Sequence, residues 1–123
     1  MSMVDAEVPV RAFSKVRRAQ GLVFVSGEVA HTADGVAPAG VAAQTALVLA
    51  HLASTLAGEG LDLNDVVQVT VHLRDARDFA EFDRAYRLHF NAPYPVRTTV
   101  VAAPLYPGGL VEVTVVATSP EQV

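Results

Sequence analysis

The chain contains no cysteine. Disulfides, thiol nucleophiles and thiolate metal sites are thereby excluded together, and the composition fits a reducing compartment. No apolar run approaches the roughly 18 residues that a membrane span requires. The opening residues Met1-Ser2-Met3-Val4-Asp5-Ala6-Glu7 lack the basic n-region and apolar h-region of a secretory leader. A cytoplasmic protein with no membrane partner is expected. Positive charge is scarce as well: 9 Lys and Arg stand against 13 Asp and Glu, for a net charge of -4 and a pI near 5.4. Such a molecule does not attract polyanions, so no nucleic-acid partner is expected.

What is present is a single domain spanning 1–123, of 13.0 kDa, with room for one core. Hydrophobic residues make up 51% of it and the mean hydropathy is +0.33. A small domain leaves much of its surface uncovered, so part of this apolar surface should be buried between subunits.

Gly21-Leu22-Val23-Phe24-Val25-Ser26-Gly27 is a short apolar run bounded by glycines and reads as a buried strand. Phe13 to Arg17 supplies an antiparallel neighbour through a turn near Ala19-Gln20-Gly21, and His31 to Gly40 is loop. From Val41 the spacing of Leu49, Leu52, Ala53 and Leu56 predicts a long helix, stopped by Gly58 and Gly60. Val66 to Leu73 alternates with period two and predicts a strand. Asp75 and Asp78 are capping candidates for a second helix carrying Phe79, Phe82, Tyr86 and Phe90 as its buried stripe. Two further strands, about Arg97 to Ala102 and Leu110 to Thr118, flank a turn-rich connector suited to a hairpin. The order β-β-α-β-α-β-β predicts an α+β fold, one sheet with both helices on one face and the other face left for a partner subunit.

Charges are rare in the last two strands, which makes Arg97 and Glu112 conspicuous. A buried guanidinium must be satisfied by a carboxylate, either Glu112 or that of a ligand. Alternation places Arg97, Thr99 and Val101 on one face, and Leu110, Glu112, Thr114 and Val116 on one face of the next strand. If those faces coincide, Arg97 and Glu112 share a site; a plain ion pair across a hairpin or a subunit interface is the alternative. His31, His51, His72 and His89 show no metal-ligand spacing, and no metal is expected. The serines lack a nucleophile elbow. The glycines form no phosphate loop. Arg11, Lys15, Arg17 and Arg18 read as a solvated edge.

The segments Phe13-Ser14-Lys15, Leu22-Val23-Phe24-Val25-Ser26-Gly27, Ala43-Gln44-Thr45, Asp65-Val66-Val67, Phe79-Ala80-Glu81-Phe82-Asp83, Pro95-Val96-Arg97-Thr98-Thr99-Val100 and Leu110-Val111-Glu112-Val113 occur in an order and spacing that resembles the RidA family, also called YjgF/YER057c/UK114. The resemblance runs from about residue 11 to residue 117. It implies a chorismate-mutase-like fold and a homotrimer with three clefts at the subunit interfaces. The activity implied is hydrolysis of reactive 2-imino acids and their enamine tautomers to 2-oxo acids and ammonia, without a metal or organic cofactor. A functional link to pyridoxal-phosphate enzymes that release imines follows from it. Arg97 matches the arginine that grips the substrate carboxylate through two parallel bonds, and Glu112 matches the glutamate thought to hold the attacking water. Phe13, Ser26, Gly27, Asp83 and Thr99 fall at substrate-binding positions. Three of them depart from the family pattern: Phe13 stands in place of tyrosine, Asp83 of asparagine and Thr99 of cysteine. The phenol is thereby lost and Asp83 is expected to make the cleft rim more acidic. Two rival readings follow the same resemblance, a non-catalytic binder of 2-oxo acids and an endoribonuclease that inhibits translation.

Overall fold

The computed structural model describes residues 11–119. The leader reading of Met1 to Glu7 lies outside them. Two strands, β1 (Val16–Ala19) and β2 (Leu22–Val29), form an antiparallel hairpin. Its two turn residues, Gln20 and Gly21, both have positive φ, 55° and 76°. That geometry matches the right-handed strand twist, and glycine at the second position accommodates it without strain. Helix α1 (Val41–Ala57) follows the loop. It buries Val41, Gln44, Thr45, Val48, Leu49, Leu52 and Leu56, a stripe at helical spacing against β2 and the last strand.

A 3-10 turn over Leu63–Asp65, closed by reciprocal Asp62 and Asp65 capping bonds, leads into β3 (Val66–Leu73). A second 3-10 turn, over Ala76–Asp78, is capped by Asp75. Helix α2 (Phe79–Arg87) runs on from it, with no side-chain cap at Asp78. Phe82, Tyr86 and Phe90 are buried as expected, whereas Phe79 is 40% exposed and Phe90 lies beyond the helix end. Strands β4 (Val96–Val101) and β5 (Val111–Thr118) complete the chain. The result is an α+β fold with one mixed five-stranded sheet and two helices.

The sheet order is β1-β2-β5-β3-β4. The expected hairpin between the last two strands does not form, because β3 lies between them, pairing antiparallel with β5 and parallel with β4. The reason is partly covalent and partly chemical. A parallel pair needs a long crossover, which α2 supplies between β3 and β4. An edge position also suits β4, whose residues are exposed or half-buried and include a charge, far better than β3, whose Val69, Val71 and Leu73 are buried. In β5, Val111, Val113, Val115 and Ala117 face the helices and are buried, while Glu112, Thr114, Val116 and Thr118 are half-buried on the opposite face.

The connector before β5 is a packed loop. Gln44 is buried on α1; its Nε2 donates to the carbonyls of Pro38 (2.9 Å) and Gly108 (2.8 Å), and its Oε1 accepts from the Leu110 N–H at 2.8 Å. Arg74 Nε adds a 2.6 Å bond to the Gly109 carbonyl. Removing the amide deprives three backbone groups in this part-buried loop of their partner, at about 1 kcal/mol each. Gln44→Leu should therefore lower stability by about 3 kcal/mol, read from urea unfolding at fixed protein concentration.

Candidate active site

Arg97 lies in register with Val69 of β3, which is paired in turn with Val115 of β5, so its side chain shares the helix-covered face. Glu112 lies in register with His72 and, through it, with Val100, on the open face. The two strand faces do not coincide, and the two residues do not share a site within one protomer. β3 separates their strands as well.

The carboxylate that satisfies Arg97 is Asp83. Arg97 Nη1 donates to Asp83 Oδ1 at 2.8 Å, while Arg87 Nε donates to Asp83 Oδ2 at 2.8 Å. The guanidinium carbon of Arg97 also sits over three rings of α2, 4.6 Å from the centroid of Tyr86 and 5.5 Å from those of Phe79 and Phe82. Such cation-π contacts hold a planar cation in place without consuming its donors. Burial alone would raise the Asp83 pKa, but hydrogen bonds from Arg87 and Arg97, reinforced by their charges, hold it below the ordinary carboxylate value. Burial also raises the Tyr86 phenol, against the pull of Arg97. Asp83, Tyr86, Arg87, Tyr94, Pro95 and Arg97 enclose an open pocket of about 280 Å³. Its charged groups are two guanidiniums and one carboxylate, so the rim is net positive even with Asp83 in it. The aspartate is inserted between the two arginines.

Because the folded pKa of Asp83 is depressed, its contribution to stability is present above the unfolded-state value near 4 and is lost as pH falls through the lower folded value. Asp83→Asn should cost about 1 kcal/mol at pH 7, a figure reduced for the solvent exposure of Arg87, and progressively less as pH falls below the ordinary carboxylate value. Thermal unfolding of both proteins across that interval checks it.

A second group of predicted residues gathers around β2 and β5. The Ser26 N–H donates to the Lys15 carbonyl at 3.0 Å and its Oγ donates to the Ser14 carbonyl at 2.6 Å. Ser26 thus fastens the 13–15 segment that carries Phe13, whose ring is 60% exposed. Gly27 sits at a bulge in the β2–β5 pairing, and a Cβ there would collide with the Glu112 carboxylate. Glycine there leaves the space over the backbone that the Glu112 carboxylate occupies. Thr99 belongs to the other group, half-buried in β4 in register with Val71.

The predicted residues therefore form two half-sites: Arg97, Asp83 and Thr99 near the β4 edge, and Phe13, Ser26, Gly27 and Glu112 on the β2–β5 side. Sequence reasoning missed Arg87 and Tyr94 as pocket walls; the signal available was the i, i+4 spacing of Asp83 and Arg87 on one helix. It also gave no sign that His72 lies in register opposite Glu112, where its Nδ1 is buried with no hydrogen-bond partner. No group of three or more His, Asp or Glu side chains among the described residues is arranged to hold a metal ion.

The chain is thus a single-sheet α+β domain with an arginine-lined pocket against its edge strand. A family model described as endoribonuclease L-PSP matches residues 3–119, and the chain belongs to this family, the RidA/YjgF family. The 2-iminobutanoate/2-iminopropanoate deaminase of Bos taurus is 29% identical over 119 residues, covering 95% of this chain and 87% of that protein. The crystal structure of RidA from Psychrobacter sp. PAMC 21119 superposes with a TM-score of 0.81 at 29% identity, covering 89% of this chain and 90% of that one. The structure of E. coli TdcF with bound serine gives 0.79 at 26% identity, covering 89% and 90%.

Proposed function

We propose that this protein hydrolyses 2-imino acids to 2-oxo acids and ammonia at clefts formed between copies of the chain. The observation that carries the reading is the division of the site: a carboxylate clamp on one side of the protomer, and a carboxylate seated on glycine on the other face two strands away. Neighbouring strands are about 4.8 Å apart, so no small substrate bridges the two half-sites within a protomer. A second copy brings them together. The open sheet face supports such packing, with Phe24 42%, Val100 40% and Val96 68% exposed among threonines. The names of relatives such as the Bos taurus deaminase support the chemistry. A homotrimer is the assembly this reading adopts, in the cytoplasm, where pyridoxal-phosphate enzymes release imines. No helix among the described residues is long and apolar enough to cross a membrane.

In this mechanism Arg97 holds the substrate carboxylate through two parallel N–H bonds. The backbone of Gly27 and the N–H of Thr99 complete the cradle, since an edge strand leaves alternate backbone donors unpaired. Phe13 and Ser26 wall the Glu112 side of the cleft, and Asp83 borders the clamp. A water on Glu112 adds through its oxygen to the C2 carbon of the protonated imine, passing a proton to the carboxylate as the C=N π pair moves to nitrogen. Glu112 returns that proton to the amino nitrogen. The C–N bond then breaks as the hydroxyl passes its proton to the Glu112 carboxylate and C=O forms, releasing ammonia. The electrophile is already reactive, so orientation supplies much of the rate.

Light scattering coupled to size exclusion should give a trimer, with a stable monomer at micromolar concentration counting against the shared cleft. The decisive test is complementation. Arg97→Ala and Glu112→Gln proteins, each inactive alone, should regain about a quarter of wild-type sites when unfolded together and refolded, the statistical fraction for random assembly. No recovery in mixed trimers would show that both residues act within one protomer or that neither acts.

A further inference from the structure

The imine-hydrolysis mechanism uses one guanidinium, and the pocket holds two. Arg87, in the last turn of α2, lines the same cavity as Arg97 while its side chain is 68% exposed. One carboxylate, Asp83, fixes the two cations relative to each other, through 2.8 Å bonds on its two oxygens. The bridging nitrogens are consequently no more than roughly 8 Å apart. Each guanidinium has five N–H groups, and each arginine donates one hydrogen bond, to Asp83. The remaining N–H groups of Arg97 face the Tyr86 hydroxyl and the cavity, and those of Arg87 face the cavity and solvent. The Tyr86 hydroxyl, on a residue only 4% exposed that lines the cavity, lies beside Arg97 and has no acceptor for its own O–H. An enclosed hydroxyl without an acceptor, beside two guanidiniums with donors to spare, marks a place where an anionic ligand supplies the acceptors.

Resting on the hydrolytic reading above, we propose that the preferred substrate is a 2-imino diacid of four or five carbons, its C1 carboxylate on Arg97 and its distal carboxylate on Arg87. Bound this way, the charges alternate: distal carboxylate, Arg87, Asp83, Arg97, C1 carboxylate. Every cation lies between two anions, and no two like charges are adjacent. An apolar imino acid leaves the outer donors of Arg87 to water and gains nothing from them. A basic one places a third cation against Arg87 and is rejected. Arg87 is thus a specificity-determining residue, and Asp83 a positioning residue that sets the spacing of the two clamps.

The test compares imines of glutamate and aspartate with those of alanine and 2-aminobutyrate, each generated in situ by an amino acid oxidase. Wild-type kcat/KM should favour the diacids by at least about tenfold, the scale of one charge-assisted hydrogen-bonded contact. In Arg87→Met that ratio should collapse towards one, and in Arg87→Lys it should be intermediate. If Arg87 acts only by steadying Asp83 and Arg97, both substrate classes fall together and the ratio is unchanged, which overturns the proposal. So does a wild-type ratio of one or below. Calorimetric affinities for 2-oxoglutarate and 2-oxobutyrate, measured on the same three proteins, give the ratio without turnover. Absence of turnover on every imine therefore sinks the hydrolytic reading, while the diacid preference is decided by binding.

Discussion

Arg97→Lys is expected to lose nearly as much turnover as Arg97→Ala, about 100-fold or more in kcat/KM, the scale of a misplaced reacting centre. The guanidinium lies against Tyr86, Phe79 and Phe82 and is tethered by one nitrogen to Asp83, so its remaining edge is held for a planar partner. An ammonium carries the charge without the fork, and as a compact, strongly hydrated ion it does not stack flat on the Tyr86 ring. A lysine here would also fall to Asp83 as a simple ion pair. The substrate carboxylate then loses its second bond, and C2 is no longer held against its water. Steady-state ammonia release on an imine produced in situ measures this. Calorimetry with pyruvate or 2-oxobutyrate should show weak binding to wild type and none to either variant. A lysine protein with wild-type turnover would reduce Arg97 to a structural cation for Asp83.

Glu112→Gln should lower kcat by about 100-fold while leaving 2-oxo acid affinity close to that of wild type. Glutamine occupies the same volume over Gly27, so the bulge and the fold are kept. What is lost is the oxygen basic enough to take a proton from water. Among the described residues Glu112 forms no salt bridge, so its carboxylate is not committed to a structural cation. A folded Glu112→Gln trimer with undiminished turnover would remove the general base from the mechanism and leave a binding cleft.

Element type and order were legible along the chain because they rest on local rules. The period-two alternation from Gln68 to Leu73, the helical stripe from Val41 to Leu56 and the glycines at 21, 58 and 60 determined β3, α1 and the first hairpin, from backbone sterics and burial pattern alone. The unusual charges at Arg97 and Glu112 were legible for the same reason, since ionised groups are rare in apolar strands. Their relation to each other was not. Alternation says which residues of one strand share a face, but not which neighbour that strand takes, and the hairpin suggested by the connector is replaced by a parallel pairing through α2.

That single topological fact moved Arg97 to the helix-covered face beside Asp83, left Glu112 on the open face against Gly27, and divided the site in two. It also set Arg87 next to Arg97, ten residues away in sequence. Strand order follows from which arrangement buries most apolar surface while leaving the charged strand at an edge, a property of the whole packed sheet. The sequence by itself determined the elements and the chemistry-bearing side chains, because propensity and periodicity are local. Only the tertiary structure decided which of those side chains meet, because pairing and register are settled by the global competition for burial.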